Sequence, residues 1–359
     1  MAVTVLIPTP LRSYVGGRDA LELEGGNVGE LLERLAGEHA GLKRHLFAED
    51  GRLRSFVNVY VNDRDIRHLA QRDTPVKAGD TVSIIPSIAG GATAVGVGAQ
   101  HAAPALPKLS HEEILRYSRH LILPDVGVEG QKKLKAARVL LVGAGGLGSP
   151  AALYLAAAGV GTITLADGDT VDLTNLQRQI LHTTESIGRP KAASGREALE
   201  KINPEVKVVP LQQRLKDEGF DALVASSSVV LDCSDNFATR HAVNRACVRH
   251  RKPLVSGAAV RFDGQVSVFD LRDDLSPCYH CLFPENADLE EVRCAVMGVF
   301  APLTGIIGTV QAAEALKLLA GAGETLKGRL LILDALAMQW RTVKLVKDPA
   351  CTVCSRVMA

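Results

Sequence analysis

The chain has 359 residues, 47% of them apolar, with a formal net charge of +1 and seven cysteines. That length supports two domains with cores of their own, while the near-neutral charge provides neither a basic field for nucleic acid nor an acidic tail. No apolar run reaches the length of a membrane span and MAVTVLIPTP lacks the basic start and apolar core of a signal peptide, so a cytoplasmic protein off the membrane is expected.

The first ninety residues read as strand, turn, strand, helix, strand, strand. VTVLIP and ALELEG alternate in polarity on either side of YVGGRD, where Gly16 and Gly17 are free to take positive φ, and this predicts a hairpin. Asn27 is positioned to cap a helix whose Val28, Leu31, Leu32, Leu35 and Ala36 share one face. RSFVNVYVND and TVSIIP add two strands around a Pro- and Gly-bearing loop. The order is that of an α+β ubiquitin-like β-grasp domain over residues 1–91. It ends at Gly90-Gly91, and residues 92–109, which sustain neither helical nor strand periodicity, read as a flexible linker.

From Ser110 the texture changes. SHEEILRYSRHLIL opens with a capping box, Ser110 to Glu113, and then ARVLLVGAGGLGSPAALYLAAAGVGTITLAD spells strand, glycine turn, small-residue helix and strand. EVKVVPL, SSVVLDC, KPLVSGAAV and GQVSVFD are further strands, and IIGTVQAAEALKLLA is a helix. Residues 110–359 are therefore expected to form an α/β, Rossmann-like domain whose parallel sheet acquires a late antiparallel portion.

Gly143, Gly145 and Gly148 form G-x-G-x-x-G between strand and helix, with Gly146 inside the turn and Asp167 ending the next strand. Such a turn brings backbone amides to a phosphate, and the acid suits ribose hydroxyls. A nicotinamide dehydrogenase would need no more. Yet Asp169, Asn175, Arg178, Gln179 and Lys191 follow within twenty-five residues of Asp167, and that mixture of acid, amide and cation suits a triphosphate. In LDCSDN, Asp232, Asp235 and Asn236 stand at a strand's carboxyl end, where a carboxylate can serve Mg²⁺; the plainer reading of Asp235 is a helix cap. Cys278-Tyr-His-Cys281 and Cys351-Thr-Val-Cys354 have the spacing of a four-thiolate Zn²⁺ site, with a redox pair as the alternative and His280 as a bystander. Cys233 and Cys247 read as small core hydrophobes.

LRYSRH, VGAGGLGS, D-x-D-x-V-x-x-x-NLQRQ, GRPK, LDCSDN, PLVSGAAVRFDGQV and APLTGIIGTVQAAEALKLL resemble, in that order, the ThiF and MoeB adenylyltransferases that activate sulfur carriers and are related to ubiquitin-activating enzymes. The resemblance implies ATP, Mg²⁺ and Zn²⁺ as cofactors. It implies Asp167 at the ribose, Asn175, Arg178 and Lys191 around the triphosphate, and Asp235 on Mg²⁺. It also implies a homodimer in which Arg119 reaches the partner's nucleotide. In some relatives a cysteine in the region of Cys294 forms a thioester or acyl disulfide with the carrier, and Arg293 is the one nearby charge able to support a thiolate.

FVNVYVNDRDIR and VKAGDTVSIIPSIAGG likewise resemble the MoaD, ThiS and CysO carriers, which end in Gly-Gly because only glycine threads a narrow channel to the α-phosphate. Here Gly91 is joined to Ala92. Either a peptidase cuts after Gly91 to release a working carrier, or the pair is a relic turn and the module regulates an enzyme that activates a separate carrier. The chain is thus expected to adenylate a carrier's terminal carboxylate for molybdopterin, cysteine or related synthesis, with a separate sulfur donor. A catalytically idle ubiquitin-like scaffold is the alternative.

Overall fold

The computed structural model describes residues 2–7, 9–48, 50–54, 57–62, 64–66, 69–86, 106–215, 217–285 and 298–355. Gly90, Gly91 and Cys294, with the 92–109 linker up to residue 105, lie outside these residues. The chain divides into two compact units, Met1–Gln131 and Lys132–Ala359.

In the first unit, β1 (Ala2–Leu6), β2 (Ala20–Glu24), β3 (Val57–Val61), β4 (Arg64–Asp65) and β5 (Thr81–Pro86) form one sheet in the order β2-β1-β5-β3-β4. β1 runs parallel to β5 and antiparallel to β2, in a register from Ala2 opposite Glu24 to Leu6 opposite Ala20. Alternation turns Val3, Val5, Leu21 and Leu23 inward, where they meet Leu31, Leu32 and Leu35 of α1 (Val28–Glu38). Asn27 accepts the Glu30 amide at 2.9 Å, as a cap should. The β1–β2 connection is longer than the expected tight turn, because Thr9–Val15 winds into 3₁₀ turns before Gly16 and Gly17, at φ +68° and +80°, reverse the chain. α2 (Ala40–Leu46), which the sequence pattern did not single out, buries Leu42 and Leu46.

The same unit continues through α3 (His111–Arg116), α4 (Ser118–Leu121) and the start of α5 (Gly127–Ala136). The capping box forms: Ser110 Oγ accepts the Glu113 amide at 3.1 Å, and Glu113 accepts the Ser110 amide at 2.6 Å. Leu109, Tyr117, Leu121 and Val128 pack together with Tyr60 of β3.

The second unit is built on an eight-stranded sheet. β6 (Arg138–Val142), β7 (Thr162–Ala166), β8 (Lys207–Leu211), β9 (Val229–Asp232), β10 (Pro253–Val260), β11 (Asp263–Asp270), β12 (Arg329–Asp334) and β13 (Gln339–Lys344) lie in the order β13-β12-β11-β10-β9-β6-β7-β8. The strands from β8 to β10 are parallel, and β10 to β13 are antiparallel. Val139 and Leu141 face α6 (Gly148–Ala157) and Leu303, Ile307 and Ala312 of the long helix Ala301–Ala320. Leu140 and Val142 face the other core, with Phe220 of α8 (Asp217–Ala225) and Val243 of α9 (Phe237–Arg249). Cys233 and Cys247 are buried, as small core residues should be.

The chain moves from β6 to β7 and β8, then returns to place β9 on the other side of β6. The turns after β6 and β9 therefore diverge, opening a crevice at a topological switch point. The helix at 301–320 has membrane-spanning length, yet it directs Gln311 and Glu314 into buried hydrogen bonds and is a core element.

Candidate active site

Three turns converge on the crevice. After β6, Gly143 holds φ +97°, and a Cβ there would stand 2.8 Å from the Cys233 carbonyl oxygen. At Gly148 a Cβ would fall 1.8 Å from the Gly143 carbonyl oxygen, so only glycine lets α6 start this close to β6. The amides of Gly145 and Gly146 donate to no other described residue. Ser149 Oγ and Gln179 Oε1 are buried without a hydrogen-bond partner. Unpaired amide donors at a helix N-terminus are what an anionic ligand would satisfy.

After β7, Asp167 accepts the Ala144 amide at 2.7 Å and the Asp169 amide at 2.8 Å. Each carboxylate oxygen keeps a further lone pair, enough to receive a ribose hydroxyl. Asp169 bonds Arg214 at 2.6 Å and Lys191 at 3.4 Å. Burial pushes the Asp169 carboxyl up, but Arg214 and Lys191 together outweigh it and hold the group below its ordinary range. Lys191 opens α7 (Lys191–Ile202) and is only 6% exposed. Among the described residues Arg178 touches neutral oxygens only, Asn175 Oδ1 at 2.9 Å and the Thr174 carbonyl at 3.4 Å, so no described carboxylate neutralises its charge, which suits a phosphate.

After β9 the two acids separate. Asp232 is fully buried, accepts the Ser234 amide and hydroxyl and the Ser256 hydroxyl, and pairs with Arg240 at 3.5 Å. It belongs to the interior rather than to the ligand site. Asn236, not Asp235, caps α9, accepting the Thr239 amide at 2.9 Å. Asp235 stands exposed at the crevice, close enough for its charge to act on Arg214. The structure thus brings Gly143–Gly148, Asp167, Asp169, Asn175, Arg178, Lys191, Asp235 and Asn236 onto three adjoining turns. Arg119 lies in the first unit, exposed on α4.

Sequence reasoning missed His182. It is buried, with Nε2 3.0 Å from the Ala144 carbonyl and Nδ1 3.0 Å from Ser194 Oγ, so it pins the glycine turn to α7. Burial pushes its pKa down, keeping the ring neutral. Nothing in the pattern around it marks this role. Arg214, which flanks Asp169, was missed for the same reason.

Apart from this crevice, Cys278, Cys281, Cys351 and Cys354 converge. Their sulfurs are separated by 3.9 Å (278–281), 3.8 Å (278–351) and 3.5 Å (281–354). Thiolates held about 2.3 Å from a tetrahedral zinc would sit ~3.8 Å apart, so the cluster fits the ion. Asn244 Nδ2 lies 3.6 Å from Cys278 Sγ and donates toward it, while its carbonyl oxygen accepts the Tyr279 amide.

Comparison with known proteins assigns a family to each part of the chain. The ThiF family matches residues 117–353, and the ThiS family matches residues 5–91. The molybdopterin-synthase adenylyltransferase of Escherichia coli is 48% identical over 254 residues, covering 70% of this chain and all of that protein. The E. coli sulfur carrier protein ThiS adenylyltransferase is 47% identical over 251 residues, covering 68% of this chain and 97% of that protein. Among solved structures, E. coli MccB with ATP superposes with a TM-score of 0.59 at 25% identity, over 67% of this chain and 73% of that one.

Proposed function

The chain belongs to the ThiF family, and from that premise we propose that it uses ATP to adenylate the C-terminal Gly-Gly carboxylate of a ubiquitin-like sulfur carrier. The observation that carries the reading is the convergence of a glycine turn whose amides are unpaired among the described residues with a buried lysine, an arginine bonded there to neutral oxygens and two accessible acids. ATP supplies an electrophilic α-phosphorus. The carrier carboxylate attacks it, the bond to pyrophosphate breaks, and an acyl-adenylate is left for a sulfur donor.

In this reading the Gly145 and Gly146 amides meet the phosphates, and Asp167 orients the ribose. Lys191 and Arg178 balance the charge that grows on the leaving pyrophosphate, which is where preorganised cations matter most. Asp235, with Asn236 beside it, would hold Mg²⁺ and its waters. Arg119 would complete the site of a second protomer in a homodimer, and Cys294 is assigned as a candidate acceptor for a carrier thioester. The cysteine cluster would hold structural Zn²⁺ and tie the segment around Cys351 to α9 and its neighbours.

The N-terminal module is the natural carrier. Its ThiS match ends at Gly91, the residue whose carboxylate is blocked by Ala92. A cytoplasmic peptidase cutting there would free carrier (1–91) from enzyme, with 92–109 as the linker and 110–359 as the catalytic domain. Intact mass of the protein recovered from its native cytosol tests this. A species ending at Gly91, or its heavier thiocarboxylate, supports a self-contained carrier and enzyme. Full-length chain alone would mean that the enzyme activates a separate carrier and that its own module regulates it.

A further inference from the structure

Next to the four cysteines lies another set of metal-binding atoms, which adenylation does not use. His241 of α9, His280 of the short helix Tyr279–Leu282, and Glu285 each offer one ligand atom, all within 4.8 Å of one another. The two imidazoles meet edge to face, with ring centres 5.7 Å apart.

His280 carries the strongest indication. Its Nε2 lies 3.4 Å from Thr352 Oγ1, while its Nδ1 is buried and bonds nothing. A neutral imidazole has one donor and one acceptor nitrogen. In the tautomer that donates from Nε2 to Thr352, Nδ1 keeps a buried lone pair with no donor, which costs free energy unless something binds there. A metal-ligating histidine is built this way, one nitrogen on the metal and the other N–H fixed by an oxygen. His241 is 3% exposed and is held edge-on by the Tyr279 ring, 5.4 Å between centres. Glu285 is gripped by Arg245 Nη1 at 2.9 and 2.7 Å, so the carboxylate is held near the imidazoles by a cation that a metal would displace.

Electrostatics favours a second ion. Four thiolates around one Zn²⁺ leave a net charge of −2, which attracts rather than repels another cation nearby. Two histidines and one carboxylate suit borderline ions such as Zn²⁺ and Co²⁺ and leave a coordination position open.

We propose that His241, His280 and Glu285 form a second divalent transition-metal site, distinct from the four-cysteine site, with an open position for water or an external anion. Arg245 is its built-in competitor, neutralising Glu285 until the metal arrives.

The test is equilibrium dialysis of the full-length chain, prepared with one zinc per chain, against Co²⁺, with absorption spectra recorded throughout. The wild type should bind one further equivalent that adds ligand-field bands and no thiolate-to-cobalt charge-transfer band. Glu285→Gln, an exposed change that leaves the fold untouched, should weaken this binding roughly 10- to 100-fold, as should His241→Ala, with zinc content unchanged at one per chain. Arg245→Ala should strengthen it. Absence of a second cobalt equivalent in the wild type, or unchanged binding in Glu285→Gln, would overturn the assignment.

Discussion

The carboxyl ends of β7 and β9 present the same sequence cue, an acid leaving a buried parallel strand and a second acid two or three residues on. Their chemistry diverges. At β9, Asp232 is sealed under Ser234 and Ser256 and paired with buried Arg240, while Asp235 stands exposed. At β7 neither acid is sealed: Asp167 braces the glycine turn with half its lone pairs unused, and Asp169 is held between Arg214 and Lys191. Position on a strand thus tells where a carboxylate emerges, and burial decides whether it serves the fold or a ligand.

That contrast is broken most forcefully at Asp232. Asp232→Asn leaves the Arg240 guanidinium buried without its counter-charge and should cost about 3–5 kcal/mol of stability, read from urea unfolding. A loss below about 1 kcal/mol would mean that Asp232 is not the structural member of its pair. Asp235→Asn should do the reverse. ATP–pyrophosphate exchange should fall on the order of 100-fold, while unfolding stays within about 0.5 kcal/mol of wild type.

His182 sharpens the comparison on the β7 side. Its folded pKa lies below the ordinary value of 6.5, so the unfolded chain takes up the proton first. The stability it contributes is present above pH 6.5 and is lost as the pH falls from there through the folded pKa. His182→Gln should flatten that part of the stability profile, measured by melting between pH 5 and pH 7.5, conditions chosen to bracket roughly one unit on either side of an ordinary histidine. The smallest effect is expected at Arg214. Arg214→Ala should raise the Asp169 pKa and move the acid limb of the exchange rate to higher pH, with stability almost unaltered because Arg214 is largely exposed. An unmoved acid limb would separate Asp169 from the nucleotide.

Much of this was legible in the sequence. Alternation gave β1, β2 and β5, the capping residues Asn27 and Ser110 marked their helices, and the glycine spacing located the crevice, because each cue is local. α2 was not read, and neither were β12 and β13, which carry exposed Leu336, Met338 and Trp340 in and beside their connection and show no clean inward face. The pairings of Asp232 with Arg240 and of Asn236 with the α9 amide were also not read. Adjacent residues there compete for the same roles, and only the path of the turn decides between them. The ligand sulfurs of Cys278 and Cys351 stand 73 positions apart in sequence, yet the paired C-x-x-C spacing announced them. His241 and Glu285 carry no such spacing and emerge only in three dimensions.

The most direct measurement of the central claim is ATP–pyrophosphate exchange with a ThiS-family carrier that ends in a free Gly-Gly carboxylate. The account predicts exchange that requires the carrier, disappears when the carrier's terminal carboxylate is amidated, and is lost in Lys191→Ala and Asp235→Asn. Exchange that ignores the carrier's carboxylate, or that survives intact in both variants, would contradict it.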